Sequence, residues 1–284
     1  MGAYVIGEPG RAFGSVVPAP DPAHWHRPDT VIDGYAVHYG GRTAHVRAAS
    51  VRGLSHRHYG KVRQDEYLVR TTDDGRYVIA AVADGVSAGA LSHRAACWAV
   101  RQGGDHLCDI LSTMDAPSIP WEKLFEVIAA DIADFGADLL GDRGLTAREV
   151  AERMATTASF AVLDLATGGL YGASVGDTSI WLLRGGWFPL QPVKNDGADI
   201  HTSAVRALPL PATPVLARAD VQPGDVLVVL SDGVGDPLGD GAGEVGAALA
   251  ELWRTPPPEL EFAAQVGFAR KTYDDDRTAV AVWV

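Results

Sequence analysis

The order of apolar runs in this 284-residue chain predicts an α+β fold: largely antiparallel sheets with helices packed outside them. Strand-like runs arrive in groups and helical stretches in blocks, not in one-for-one alternation, which argues against a doubly wound parallel sheet. Successive strands are joined by tight turns, Thr167-Gly168-Gly169 and Gly176-Asp177, too short for a crossover helix. A hydrophobic fraction of 47% over this length suits one large core, alone or with an appendage.

Residues 1 to 41 are rich in Gly, Pro and His and carry little periodicity, so they are expected to form an irregular extension, with the folded domain spanning 42–284. Strands are expected at 44–51, 66–70 and 77–83, where β-branched and aromatic residues cluster. Helical periodicity follows over about 89–112 and 120–140, the second with Pro120 in a suitable N-terminal position, and a shorter helix fits 146–155. Ser92 suits a helix N-cap. Strands return at 157–164, 169–175 and 179–184. An irregular, Pro-rich segment over 185–224 leads to a strand at 226–231, helices near 244–254 and 258–270, and a closing strand at 278–284. Cys97 and Cys108 lie on one helix about 16 Å apart, too far to bridge.

The chemistry concentrates where apolar runs end. "VIAAVADG" ends in Asp84-Gly85 and "VLVVLSDG" in Asp232-Gly233; the meander turn carries Asp177, "DDDR" precedes the last strand, and Asp65 precedes "EYLV". Any one Asp-Gly pair is ordinary turn chemistry. Five acids at sheet ends converge in space, and carboxylates gathered without basic partners repel unless cations neutralise them. Such an oxygen set suits Mg²⁺ or Mn²⁺, and a glycine after the acid lets the backbone approach closely.

Taken in order, "RQDEYLV", "VADGVSAG", "ATTASFAVLD", "ASVGDTSIWLL", "LSDGVGD" and "DDRTAVAV" resemble the motifs of the metal-dependent Ser/Thr protein phosphatases of type 2C (the PPM family), as found in bacteria. The resemblance covers about residues 42–284 and implies a four-layer α-β-β-α sandwich. It implies hydrolysis of phosphoserine and phosphothreonine on proteins by a hydroxide bridging two divalent metals, Mn²⁺ or Mg²⁺. Asp84 would bridge the metals and Gly85 would offer its carbonyl. Asp232 and Asp275 would bind one ion and Asp65 the other; Asp177 and Asp236 match a third-metal site. Asp276 is the alternative to Asp275 in the "DDDRT" register.

This chain also departs from the family pattern. Arg63 replaces an Asn, Gln64 stands where some members have Glu, Ala155 replaces a Gly, and Gly60 stands where the phosphate-gripping Arg is expected. That grip then falls to one of Lys61, Arg63, Arg57 or His56. The segment 185–224 follows the hairpin where family members carry a flap beside the site, a place for substrate selectivity.

Two rivals compete. "GVSAG" fits the G-x-S-x-G elbow of a serine esterase with Ser87 as nucleophile, but no oxyanion segment precedes it and the only His after His106 is His201. The other is a phosphatase fold that binds partners without catalysis, favoured by the altered phosphate-binding region. His56-Arg57-His58 lacks a nearby third ligand for zinc. A formal charge of −12 without a basic cluster argues against a nucleic-acid partner. No apolar stretch approaches a membrane span and no secretory leader is visible, so a cytoplasmic monomer acting on phosphoproteins, opposite Ser/Thr kinases, is expected. Only four of the 24 basic residues are Lys, which fits a GC-rich bacterial gene.

Overall fold

The structure is a computed structural model and describes residues 4–8, 27–192 and 206–284. Its strands are β1 (Thr30–Tyr39), β2 (Arg42–Val51), β3 (Glu66–Thr71), β4 (Tyr77–Gly85), β5 (Thr156–Asp164), β6 (Gly169–Val175), β7 (Ser179–Leu183), β8 (Trp187–Pro189), β9 (Val215–Asp220), β10 (Val226–Leu230) and β11 (Arg277–Trp283). Its helices are α1 (Leu54–His58), α2 (Ser92–Leu111), α3 (Trp121–Leu140), α4 (Ala147–Ala151), α5 (Asp232–Leu238), α6 (Glu244–Leu252) and α7 (Glu259–Val266). One sheet runs β1-β2-β11-β10-β7-β8 and the other β3-β4-β5-β6-β9, and every pairing between neighbours is antiparallel.

The alternation within β4 shows how four layers arise. Val78, Ala80 and Val82 face inward and meet Val46, Leu227, Val229 and Val280 of the other sheet. Ile79, Ala81 and Ala83 face outward and are covered by α2 and α3. Trp181, Val228 and Ala281 on the outer face of the first sheet lie under α5, α6 and α7. Strands buried on both faces read as continuous apolar runs, even though the sheets are antiparallel. That is why β4, β5, β10 and β11 are clear in the sequence.

Glycine permits a close helix–sheet contact. A Cβ at Gly103 on α2 would lie 2.3 Å from the Phe160 ring on β5, so α2 presses directly on the sheet that carries Asp84. Phe160 in turn meets Phe125 of α3 edge to face at 5.7 Å.

Several expectations are corrected. Residues 30–39 are not part of an irregular extension: they form β1, an edge strand paired along its length with β2. Val31, Tyr35, Val37 and Tyr39 alternate onto the inter-sheet core, a period-two pattern interrupted in the sequence by Asp33 and flanked by Pro and His. The domain also gathers residues before 30, since Tyr4 and Ile6 pack on the outer layer and Arg27 is buried. The 185–224 segment holds β8 and β9, short strands with exposed positions; residues 193–205 of the expected flap, like 1–3 and 9–26 of the expected extension, lie outside the described residues. Ser92 is the first residue of α2 rather than its cap, and its hydroxyl donates to the Val86 carbonyl at 2.6 Å. No helix among the described residues is long and apolar enough to cross a membrane.

Replacing Phe160 with Ala should cost about 3–5 kcal/mol in urea unfolding, as for other buried aromatics that leave a cavity. A loss below about 1 kcal/mol would mean that α2 and α3 do not share one packed layer with β5.

Candidate metal centre

β4 and β10 end side by side in the fold although they belong to different sheets, and their last apolar residues deliver an acid each. Asp84 is the penultimate residue of β4, and Asp232 opens α5 directly after β10. Asp275 sits in the loop before β11 and Asp177 in the turn between β6 and β7. Asp84, Gly85, Asp177, Asp232 and Asp275 line one cavity of about 120 Å³, together with Ser87 and Thr157. Asp236 lines an adjoining hollow of about 240 Å³ that it shares with Asp177.

Asp65 lies immediately before β3, 1% exposed and behind the residues that line this cavity. Its neighbourhood is still acidic: burial, then the charge of Asp276, push its carboxyl up to about 8, although hydrogen bonds from Ser231 and Thr278 pull the other way. Asp84 is raised well above the usual range by burial and by Asp65 and Asp232. Asp232 is pushed up to about 6 by burial and the charges of Asp177, Asp275 and Asp236, against a hydrogen bond shared with Asp84. Asp275 is raised by burial and Asp276. Four acids in one place move the same way, and in each case loss of water leads and like charge follows.

Asp276 moves the opposite way. Burial would raise it, but the hydrogen bond and charge of His56 and the backbone N–H groups of Gln64 and Gly53 outweigh that and hold it low. His56 Nδ1 lies 2.9 Å from Asp276 Oδ1. For His56, burial alone would lower the imidazole; Asp276 and then Asp275 reverse this, and the net direction is up. Of the two adjacent acids, Asp275 therefore faces the cavity and Asp276 is a buried structural anchor.

The glycines of both Asp-Gly pairs serve packing. A Cβ at Gly85 would come within 2.9 Å of Ser92 at the start of α2, and one at Gly233 would lie 1.9 Å from the Asp276 carbonyl oxygen. Gly89, the second glycine of "GVSAG", would strike Ser92 Oγ at 2.4 Å and the Arg153 carbonyl at 2.7 Å. The elbow-like pattern thus follows from a turn pressed against α2 and the end of α4. Thr156 fixes the strand end further, donating Oγ1–H to the Asp84 carbonyl at 2.8 Å.

The four phosphate-grip candidates separate. Arg63 is 2% exposed and gives its guanidinium to Ser50 Oγ and to the Asp65 carbonyl, so it faces away from the cavity. His56 is held by Asp276, and Arg57 is half-buried on α1 with Nε unpartnered. Lys61 is exposed and lines a hollow with Gln64, Ser87 and Gly89, which meets the carboxylate cavity at Ser87. The pairing of His56 with Asp276 has no short-range signal in the sequence, because 220 residues separate the partners; only "HRH" and "DDD" hint that each segment is unusual.

The donor set fits hard divalent cations. Asp65 Oδ2, Asp232 Oδ1, Gln64 Oε1 and Thr157 Oγ1 are buried oxygens without a hydrogen-bond partner. Orphaned oxygens beside acids that cling to their protons are what an oxygen-ligating cation would satisfy.

A match to the family model described as protein phosphatase 2C covers residues 52–264. No curated protein sequence matches. Among solved structures, a bacterial serine phosphatase bearing an R161A mutation aligns with TM-score 0.59 at 14% identity over 86% of this chain and 98% of that one. The Mycobacterium tuberculosis serine/threonine phosphatase PstP/Ppp aligns with TM-score 0.56 at 19% identity, covering 85% and 98%. The PstP catalytic domain in complex with 2 manganese ions aligns with TM-score 0.54 at 21% identity, covering 84% and 97%. At these identities the likeness is one of fold.

Asp65 and Asp232 keep protons to about 8 and about 6 in the metal-free fold, whereas an unfolded Asp releases its proton near pH 4. Between those limits the folded state binds more protons, so metal-free stability falls as pH rises from about 4 to about 8. Cation binding needs the ionised carboxylates and offsets this loss. Melting temperatures with Mn²⁺ and with EDTA should therefore separate progressively from about pH 5.5 to about pH 8; a constant separation would show that these acids are not where the cation binds.

Proposed function

The chain belongs to the protein phosphatase 2C family, and on that premise we propose that it hydrolyses phosphoserine and phosphothreonine monoesters on proteins with the help of divalent cations. The observation that carries this reading is the meeting of Asp84, Asp232, Asp275 and Asp177 at one cavity, with buried carboxylate oxygens lacking donors.

Asp84, Asp232 and Asp275, with the Gly85 carbonyl, would hold the cations, with Asp65 behind them, and Asp177 and Asp236 would offer a third position. Bound Mn²⁺ or Mg²⁺ supplies Lewis acidity, lowering the pKa of water and neutralising charge that develops on the phosphoryl oxygens. The chain positions the reactants: Lys61, exposed at the rim, holds a phosphate oxygen in place of the missing arginine. Attack by water oxygen on phosphorus would break the bond to the seryl or threonyl oxygen directly, with a proton from the water ending on the released hydroxyl and inorganic phosphate as the other product. No phosphoenzyme forms, and Ser87 takes no covalent part. The enzyme acts as a cytoplasmic monomer on phosphoproteins, reversing Ser/Thr kinases. The manganese-bound PstP domain supports the metal assignment by its shared fold. The altered phosphate grip at Gly60 favours, as a second reading, a regulatory module that binds without turnover.

Hydrolysis of p-nitrophenyl phosphate with Mn²⁺ should disappear with EDTA and fall by about 10²-fold or more in Asp84→Ala and Asp232→Ala, while Ser87→Ala retains it. EDTA-resistant hydrolysis of p-nitrophenyl acetate that requires Ser87 would establish the esterase instead. Silence toward phosphopeptides with cations bound would establish the regulatory module. Lys61→Ala should raise KM for phosphate esters by about tenfold, on the order of 1.4 kcal/mol; an unchanged KM would remove Lys61 from substrate binding.

A further inference from the structure

His56 lies on α1 and is 4% exposed, so the imidazole is an interior group beside the cavity, not a surface residue. Asp276 determines how it is presented. That carboxylate is anchored by the backbone N–H of Gly53 at 2.6 Å and by the backbone N–H of Gln64, and its Oδ1 lies 2.9 Å from His56 Nδ1. Nδ1 thus meets this carboxylate as an ion-pair contact, and a neutral imidazole that keeps its proton on Nδ1 presents a lone pair at Nε2.

Nε2 faces Asp275. It lies 3.8 Å from Asp275 Oδ1, beyond hydrogen-bond length. That oxygen already accepts the Asp276 backbone N–H at 2.8 Å and keeps a second lone pair. Two ligand atoms on one ion, each bonded at about 2.1–2.2 Å, stand about 3.0–3.1 Å apart at a right angle and about 3.4–3.6 Å apart at the tetrahedral angle, so the 3.8 Å gap needs to close by less than about 1 Å for both to bind one ion. Ligand atoms of His56, Asp275 and Asp276 all fall within 4.8 Å of one another. A carboxylate that orients a histidine toward a metal is also the usual outer support of such ligands.

Resting on the metal-dependent reading above, we propose that His56 Nε2 ligates the cation held by Asp275, with Asp276 as the carboxylate that orients the ring. One nitrogen in an otherwise all-oxygen set shifts preference from Mg²⁺ toward Mn²⁺ and other ions that accept imidazole.

Pulsed electron paramagnetic resonance on the Mn²⁺-loaded full chain tests this without reference to activity. Nitrogen modulation from a directly bound imidazole is expected, changing when the protein is grown on histidine carrying the heavy nitrogen isotope. It should vanish in His56→Gln, with Mn²⁺ bound about 10–100-fold more weakly and Mg²⁺ affinity changed less. Should that variant not fold, isotope exchange in the unaltered chain decides, because His56 is the histidine placed among carboxylates in metal-ligating geometry within the described residues. Bound Mn²⁺ without nitrogen coupling would overturn His56 ligation and leave the metal-dependent phosphatase standing. No bound Mn²⁺ would overturn both.

Discussion

One buried carboxylate holds the site together. Asp276 accepts the backbone N–H of Gly53 where β2 passes into α1, the backbone N–H of Gln64 just ahead of Asp65, and stands against His56 of α1. Its own carbonyl rests where a Cβ of Gly233 would be, beside Asp232. Gly53 makes an equally close contact on the other side, with a Cβ that would lie 2.2 Å from the Asp275 carbonyl carbon. The loop that bears Asp275 is thereby clamped between two glycines and stitched by one acid to the segments that carry Asp65 and Asp232. A buried charge is costly, by several kcal/mol, unless donors surround it; here backbone N–H groups and an imidazole do so.

The same chemistry explains why neighbouring acids behave oppositely. Asp275 and Asp276 are adjacent, yet one is raised and the other lowered. Burial acts on both; donors decide the sign. Asp276 has collected the local N–H groups, whereas Asp65 Oδ2 and Asp232 Oδ1 have none. The fold thus concentrates hydrogen-bond satisfaction in the anchor and leaves deficiency at the cavity. Three apolar layers on either side of and between the sheets hold this unfavourable cluster in place.

What the sequence revealed follows from this division. Apolar runs ending in Asp-Gly announced β4 and β10 because strands covered on both faces have no polar alternation to blur them. The convergence of Asp84, Asp232 and Asp275 was legible for the same reason, since an acid at the end of such a run can only emerge at the sheet edge. β1 was hidden because an edge strand with Asp33, Gly34 and two-sided exposure looks like a loop. β8 and β9 are short and partly exposed, and α5 begins with the very Asp-Gly that suggested a turn. The burial of Asp65 and the His56–Asp276 pairing were out of reach because they depend on contacts across more than 200 residues, which no local periodicity encodes.

The acidity of the cavity does not reflect a shortage of arginine nearby. Arg63 and Arg27 are both buried within reach of Asp65, and both direct guanidinium N–H groups to its backbone carbonyl. Arg27 completes its set with the His93 carbonyl and Glu66, and Arg63 with Ser50, which in turn meets Thr278 of β11 at 2.6 Å. An arginine beside a carboxylate ordinarily lowers its pKa by about 1–3 units, yet the Asp65 side chain remains raised to about 8. The guanidinium groups brace the backbone of the strand start and leave the side chain uncompensated. Had either reached the carboxylate itself, it would have compensated one acid of the cluster, Asp65. Donation to the carbonyl fixes where Asp65 is and leaves its carboxyl without a guanidinium donor from either residue.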